Sequence, residues 1–292
     1  MANLKDIRIR ISSVKTTRQV TSAMKMVSAA KFKKAHDQII AFRPYADGLN
    51  YVLSTINTKE SHSFEKYARQ SDVNRLLVVA ITSNRGLCGA FNTNVIKQTE
   101  RLIKEDYRSQ NHNKSVDIIA IGKQGFKSLK SHGFNVVEEH NDLLAELKYA
   151  STAEIAEHLI RAFISRKYDK VLVVYNEFIN AAVQNVAVQQ LLPIAIDDKE
   201  QTAESSFIFE PSAESVMQML IPKTLKSIFY RWLLESVAAE HGARMTSMHK
   251  ATDNATEMIG DLQLMYNKAR QTAITNEILE IVGGAEALKG SS

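Results

Sequence analysis

The chain has 292 residues, 45% of them hydrophobic, with a net charge of +5 at pH 7 and a single cysteine, Cys88. Its longest apolar run, residues 76–81, is far shorter than the roughly 20 residues that a membrane-spanning helix needs, and one cysteine excludes an internal disulfide and a cysteine-based zinc site. Only 11 glycines and 4 prolines are present, which favours long helices over a fold dominated by turns.

The N-terminal segment, residues 1–57, is predicted to form a coiled-coil helix that is broken only at Pro44. Its first apolar residues recur at the alternating three- and four-residue intervals of a coiled-coil seam. They are Leu4, Ile7, Ile11 and Val14. The stretch that follows, TSAMKMVSAAKFKKA at 21–35, is rich in small residues and lysine, so another helix or a surrounding wall can approach it closely.

This N-terminal segment is also strongly basic. Residues 1–34 carry nine Lys or Arg residues against one acidic residue, Asp6. Such a segment is typical either of a surface that binds nucleic acid or acidic lipid or of a solvated helical face. Proteins that bind single-stranded nucleic acid also use aromatic side chains for base stacking, and Phe32 is the only aromatic residue in this stretch. A basic coiled-coil nucleic-acid-binding protein therefore stays as the alternative function.

Residues 73–210 alternate strand and helix patterns and are predicted to form an α/β domain. Apolar runs predict strands that are buried on both faces, at 75–82, 116–122 and 170–178, with further strands at 134–139, 182–196 and 205–211. Amphipathic patterns predict helices over 92–107 and 151–168, the second opened by a capping box of Ser151 and Glu154. This alternation indicates a mostly parallel, Rossmann-like sheet with helical crossovers.

The C-terminal segment, residues 212–288, is predicted to form a second coiled-coil helix, running from about 224 to 282. A three-four repeat begins at Met248 and continues through Ala251, Ala255, Met258, Leu262, Met265, Ala269, Thr272, Asn276 and Leu279. A helix of this extent would be about 90 Å long, so it needs an equally long partner. The predicted fold is therefore a long antiparallel coiled coil of the N- and C-terminal helices with the α/β domain inserted between them.

Candidate chemical sites in the α/β domain are weak. The sequence IGKQG at 121–125 follows a strand and opens a helix, but it lacks the three glycines of a dinucleotide loop and the Gly-Lys-Ser/Thr of a P-loop. We predict a structural turn there. The loop TSNRGLCGAFN at 82–92 holds Cys88 with no histidine within 20 residues, so we expect Cys88 to pack as a small apolar side chain rather than act as a nucleophile. No pairing of carboxylates for acid–base catalysis is evident.

Three motifs, in order along nearly the whole chain, resemble the γ subunits of F-type ATP synthases. They are LKDIRIRISSVKTTRQVTSAMKMVSAAKFKKA (4–35), SNRGLCGAFN (83–92) and the helical stretch from LLESVAAEHGARMTSMHK to EILEIVGGAEAL (233–288). The resemblance implies a central rotor shaft that couples c-ring rotation to conformational cycling of three catalytic β sites. It implies α and β subunits, the ε subunit and the c-ring as partners, and no nucleic acid.

The resemblance also implies which residues meet the ring of α and β subunits. Met24 and Lys25 on the N-terminal helix are expected near an acidic lever of β, and Arg244 is expected near the same lever. Arg270, Gln271, Thr275 and Glu277 on the C-terminal helix match family positions used in contact or coupling. The residues themselves leave open that each is only a solvated or paired position of the coil.

We expect the chain to contain no catalytic site, metal or cofactor of its own, since the resemblance places Mg-ATP and Mg-ADP on the β subunits. The first residues, MANLKDIRIR, lack the apolar core of a secretory signal. We therefore expect a bacterial protein that is peripheral to the inner membrane, on its cytoplasmic side, and attached through the c-ring.

Overall fold

The computed structural model describes residues 4–55, 62–69, 71–180, 183–194, 210 and 212–290. The helices are α1 (Leu4–Thr55), α2 (His62–Ala68), α3 (Phe91–Arg101), α4 (Arg108–His112), α5 (Lys123–Ser131), α6 (Tyr149–Ile164) and α7 (Ala213–Gly290). The strands are β1 (Leu76–Ile81), β2 (Val116–Ile121), β3 (Val136–Glu139), β4 (Lys170–Phe178) and β5 (Gln184–Leu192). A π-helical turn at Leu102–Asp106 and a 3₁₀ turn at Asp142–Leu144 complete these elements.

The chain divides into two compact units. The coil unit comprises Met1–Val27 and Met245–Ser292, and the α/β unit comprises Ser28–Arg244. The helices α1 and α7 each contribute residues to both units. The long antiparallel helices and the mostly parallel inserted sheet confirm the predicted fold class.

The α/β unit is built on one five-stranded sheet with the order β3-β2-β1-β4-β5. The pairs β1–β2, β1–β4 and β2–β3 are parallel, and only β5 runs antiparallel, against β4. The central strand β1 is buried at every position, as its continuous apolar sequence predicts for a strand covered on both faces.

Alternate residues of these strands form two cores, one on each face of the sheet. Leu77 and Val79 face a core that α6 and the first part of α7 complete, with Phe163 and Phe229 fully buried. Leu76, Val78 and Ala80 face the other core with residues of α3, the π-helical turn and α5, including Val95, Ile103 and Leu129. The sheet is thus covered by helices on both faces, as strand–helix alternation requires.

Within the α/β unit, the second part of α1 packs antiparallel along α7. Ala35 and Ile39 share a buried cluster with Tyr230, Leu234 and Ala238, so higher numbers on α1 meet lower numbers on α7. Aromatic contacts extend this packing, because the Phe42 ring meets the Tyr230 ring edge-on with centroids 5.0 Å apart.

In the coil unit the two helices are also antiparallel. Arg8 donates a hydrogen bond of 2.8 Å to the Tyr266 hydroxyl, and the Thr252 hydroxyl donates one of 2.9 Å to the Thr21 hydroxyl. The less exposed positions of α1 continue the predicted seam. They are Leu4, Ile7, Ile11, Val14, Arg18 and Thr21.

The seam on α7 departs from the predicted repeat. Ala255 and Leu262 are buried as expected, but Met258 is 45% exposed and Met265 is 59% exposed. Ile259 and Tyr266 occupy the seam instead. A 3.5-residue repeat drifts by about 20° per heptad on a straight helix of 3.6 residues per turn, so the neighbouring position comes to face the partner.

Element boundaries differ from the predictions at several places. The helix α1 continues through Pro44, and α7 begins at Ala213 and continues through Pro222. The residue four positions before Pro44, Ile40, is 55% exposed, so its unpaired carbonyl can bond water. The helix α6 begins at Tyr149 with no side-chain cap, which rules out the predicted capping box.

Two further predictions concern the ends of helices and strands. The predicted helix over 92–107 is an α-helix only to Arg101, where a π-helical turn follows. Of the predicted strand over 205–211, all residues except Glu210 lie outside the described part of the chain, as do residues 182, 195 and 196 of the strand predicted over 182–196.

Candidate partner-contact site

The turn before α5 has the position of a phosphate site, because it joins the carboxyl end of β2 to a helix N-terminus. Its N–H groups are already occupied by the segment after β1. Those of Lys123, Gln124 and Gly125 donate to Asn84 Oδ1 (3.1 Å), Ser83 O (3.1 Å) and Thr82 Oγ1 (2.9 Å). The donors that would bind a phosphate therefore hold two loops of the protein together.

The two glycines of this turn allow a close approach of backbone. Gly122 has φ of 101°, and a Cβ built there would lie 2.2 Å from Thr82 O. A Cβ on Gly125 would lie 2.7 Å from Thr82 Oγ1. The glycines serve packing against Thr82, which supports the structural interpretation of IGKQG.

The cysteine in the loop after β1 is buried. Cys88 is 1% exposed, packs with Phe91, Ala239 and Ala243, and accepts a hydrogen bond of 3.2 Å from Asn92 Nδ2. Burial raises the pKa of the Cys88 thiol, which disfavours the thiolate that a nucleophile needs. Among the residues that the structure describes, no group of three or more His, Cys, Asp or Glu side chains could hold a metal ion.

Arg244 lies in the α/β unit with its side chain only 8% exposed. Its Nη2 donates to Arg85 O (2.9 Å), its Nε to Gly86 O (3.3 Å) and its Nη1 to Glu240 Oε1 (2.7 Å). The predicted contact of Arg244 with a partner subunit stays a prediction. In the structure, the hydrogen bonds of this guanidinium are made to acceptors of its own chain.

The groups around Arg244 are strongly influenced by burial. Burial raises the pKa of the Glu240 carboxyl, and the Arg244 guanidinium opposes that shift. Burial, together with the charge of Arg244, lowers the pKa of His241 to about 4, so this imidazole is neutral near pH 7. Sequence reasoning missed Glu240, although its four-residue spacing from Arg244 on a helix is a signal for an ion pair.

In the coil unit, Met24 and Lys25 are both half-buried on α1. The neighbouring residues face outward, with Met26 65% exposed and Val27 58% exposed. The surface of α1 at this level thus mixes an exposed apolar side chain with lysine, as the small, basic sequence of this stretch predicts.

The remaining predicted contact residues lie close together on the last part of α7. Arg270, Gln271, Thr275 and Glu277 are all exposed. The Thr275 hydroxyl donates to Gln271 O of its own helix (2.9 Å). Arg8, near the start of α1, pairs with Tyr266 of α7. The first described residues of α1 therefore reach only to about this level, and none of the described residues covers α7 beyond it. This is why the segment is exposed.

The same segment carries an apolar stripe that sequence reasoning did not single out. Ile274, Ile278 and Ile281 are exposed, and the exposed side chains of Leu279 and Val282 flank them. Spacings of four and three residues put the isoleucines on one helix face. An uncovered apolar stripe beside Arg270 and Glu277 is typical of a protein-contact surface.

Comparison with known proteins gives a consistent result. A profile of the ATP synthase family matches residues 3–288. The chain is 51% identical over 292 residues to the ATP synthase gamma chain of Flavobacterium psychrophilum, covering 99% of this chain and 100% of that protein. It is 53% identical over 296 residues to that of Flavobacterium johnsoniae and 43% identical over 291 residues to that of Chlorobium phaeobacteroides, each match covering 99% of this chain and 100% of the relative.

Solved structures share the fold at lower identity. A chain from the Euglena gracilis mitochondrial ATP synthase, in an assembly described as OSCP/F1/c-ring, superposes with a TM-score of 0.72 at 23% identity, covering 98% of this chain and 94% of that chain. A chain from the Tetrahymena thermophila mitochondrial ATP synthase central stalk/c-ring superposes with a TM-score of 0.59 at 23% identity, covering 80% of this chain and 99% of the other.

Proposed function

Because the chain belongs to the ATP synthase gamma-chain family, we propose that it is the central rotor shaft of a proton-translocating F-type ATP synthase. In this role it couples rotation of the c-ring to the conformational cycle of three catalytic β sites. The observation that carries the proposal is the exposed last part of α7, a single helix with an apolar stripe that extends beyond the described part of α1.

The coil unit has the properties that a shaft inside a ring of subunits needs. Its described residues form only two helices. At the level of Thr21, Thr252 and Ala255, the contact between them uses small and hydroxyl side chains, which let the two helices approach closely there. The predicted ring contacts Met24, Lys25, Arg270, Gln271, Thr275 and Glu277 all lie in this unit.

Coupling by such a shaft is a shift of conformational populations. Three β subunits of one sequence differ only in the shaft face that each of them touches. Moving one site from 1:99 to 99:1 between two states takes about 5.5 kcal/mol of differential contact free energy. A surface salt bridge contributes about 0–1 kcal/mol, so the apolar stripe and the charged residues have to act together.

We also propose that this chain is non-catalytic and that Mg-ATP and Mg-ADP bind to the β subunits. The occupied α5 turn and the buried, protonated Cys88 support this assignment. The partners would be the α and β subunits, the ε subunit and the c-ring. Through the c-ring the chain would be peripheral to the cytoplasmic side of a bacterial inner membrane. No helix in the described residues is long and apolar enough to cross a membrane.

Rotation observed directly would test this function. The α and β subunits from the same organism are immobilised with this chain carrying Lys127→Cys, an exposed position on α5, to which a bead is attached through biotin. The wild-type chain is the control for attachment, because its only cysteine is buried. We expect the bead to turn in one direction with ATP. Assembly and hydrolysis without rotation, or no assembly at all, would contradict the proposal.

A further inference from the structure

We propose that Arg244 and Glu240 form an internal clamp that seats the loop 83–92 on α7, and that Arg244 supports coupling by positioning this loop rather than by touching a partner subunit. The clamp follows from contacts within the α/β unit alone, while its effect on coupling rests on the proposed function. We call the loop 83–92 the glycine loop.

Each nitrogen of the Arg244 guanidinium is hydrogen-bonded within its own chain. Its three nitrogens bond to three acceptors, namely the carbonyls of Arg85 and Gly86 and the carboxylate of Glu240. The two ionic side chains are 8% and 12% exposed. Because this guanidinium is buried and each of its nitrogens already has an acceptor, few of its donors are available to another subunit. We therefore infer the role of Arg244 from the residues that it bonds.

Arg244 holds the tip of the glycine loop. Leu87, at the tip, has φ of 62° and is 64% exposed, and the Arg85 side chain is exposed as well. Gly86 has no heavy atom within 4 Å of the place where a Cβ would stand. The tip therefore has few packing contacts of its own, and hydrogen bonds from α7 carry much of its attachment.

The base of the loop is fixed separately. Ser83 N donates to Asn92 Oδ1 (2.8 Å), and Asn92 Nδ2 donates to Ser83 Oγ (2.8 Å). One further bond, from Ser83 Oγ to Arg85 O (2.6 Å), joins the base to the tip. Removing the clamp should therefore release the tip without unfolding the domain. Cys88 lies between tip and base, buried by Phe91, Ala239 and Ala243, and a released tip would uncover it.

Lysine cannot replace this arginine in a clamp. The planar guanidinium reaches Arg85 O, Gly86 O and Glu240 Oε1 with separate nitrogens in a fixed fork, whereas an ammonium is a single point charge. Arg244→Lys thus keeps the charge, which a long-range contact with an acidic partner would need, and loses the clamp. This difference separates the two roles of Arg244.

The experiment uses the assembled complex. Labelling of Cys88 by a maleimide is followed over time by mass spectrometry of the peptide that contains it, and ATP-driven proton pumping is compared with ATP hydrolysis in proteoliposomes. The matched control is Arg231→Lys, because Arg231 also pairs with a glutamate four residues away on α7, Glu235 (2.9 Å), and within the described residues it has no hydrogen bond to a loop.

For Arg244→Lys we expect labelling to speed up by about tenfold, the effect of losing charge-assisted hydrogen bonds on a local opening, and pumping per ATP to fall. We expect Arg231→Lys to change neither. Labelling at the wild-type rate overturns the clamp. Fast labelling with normal pumping overturns the positioning role, and so does lost pumping with normal labelling. Equally fast labelling of Arg231→Lys shows a general loosening of the domain and not the loss of a specific clamp.

Two further arms keep the test decisive. If Arg244→Lys does not assemble, Glu240→Gln is used, which keeps an oxygen acceptor for Arg244 but removes the charge, and a smaller rise in labelling is expected; an unchanged rate then overturns the clamp. If the wild-type complex hydrolyses ATP without pumping protons, the proposed function fails, while the labelling rates still decide whether the clamp exists.

Discussion

The turn that opens α5 offers a quantitative test, because two glycines flank this helix in different surroundings. Gly122 has φ of 101° and would place a Cβ 2.2 Å from Thr82 O, whereas Gly133 has φ of 84° and open space around the same position. Gly122→Ala and Gly133→Ala therefore share the cost of a left-handed backbone, but only the first forces atoms together.

The expected destabilisation differs clearly between the two variants. An alanine with left-handed backbone angles costs about 1–2 kcal/mol, which is the whole effect expected at Gly133. Steric overlap in a well-packed site adds about 1–3 kcal/mol, and the flexible end of a side chain cannot relieve it at Gly122, because the nearest atom is a backbone carbonyl oxygen. We expect about 2–5 kcal/mol there.

Urea unfolding of the full chain measures both effects. The single tryptophan, Trp232, stacks on Tyr175 with ring centroids 5.7 Å apart and belongs to the same unit as both glycines, so its fluorescence reports this unit. With a slope of about 2–3 kcal/mol per molar urea, the midpoint should fall by about 1–2 M for Gly122→Ala and by less than about 1 M for Gly133→Ala. Equal midpoints for the two variants would refute the close approach to Thr82.

Three other predictions concern the remaining parts of the chain. His241 has a pKa of about 4 in the folded protein and about 6.5 when unfolded. As the pH falls from about 7.5 to 5, protonation of the unfolded state should therefore remove about 1–2 kcal/mol of stability. In urea titrations at a series of pH values, His241→Gln should flatten this loss. Thr21→Val and Thr252→Val should each cost about 0.5–1.5 kcal/mol in thermal unfolding. The double variant should cost less than their sum, because either single variant already removes the hydrogen bond between the two hydroxyls; strict additivity would argue against that bond. Ile278→Asp should change the stability of the isolated chain by less than about 0.5 kcal/mol but lower the rate of ATP hydrolysis by the complex. Asn276→Asp adds the same charge off the apolar stripe and should leave the rate of hydrolysis nearly unchanged.

The spacing of apolar residues predicted the seam of α1 correctly, but it did not predict every seam position of α7. The positions Leu4, Ile7, Ile11 and Val14 form the seam of α1 as predicted, because their spacing leaves no competing face. On α7 the choice between Met258 and Ile259 could not be made, since both are apolar and adjacent. Only the partner helix decides which of them is covered.

The sequence also could not show where the seam on α7 ends, for a different reason. The three-four pattern continues through Leu279, yet Leu279 is 63% exposed. A repeat shows that a helix has a face for a partner, but not how far the partner extends. The pairing of Arg8 with Tyr266 sets that limit, and it is a contact across 258 positions of sequence.

The environment of Arg244 shows the same limit within the α/β unit. Family resemblance marked Arg244 as a contact residue, and its four-residue spacing from Glu240 indicates an ion pair. Its bonds to Arg85 O and Gly86 O join segments more than 150 positions apart, which no local pattern predicts. The central strands were easier to predict, because β1 is apolar throughout, β2 has Asp117 as its one polar residue, and β4 is apolar from Val171 to Tyr175.

The antiparallel pairing of α1 with α7 has a consequence for synthesis on the ribosome. Residues of α1 such as Arg8 are translated first, while their partners near Tyr266 come almost at the end of the chain. At about 5–20 residues per second, the N-terminal helix waits about 10–50 s for its partner. During that time Ile7 and Ile11 lack the helix that covers them. All of the described strands of the α/β unit are translated by Leu192, so its sheet can form before the C-terminal partner of α1 is made.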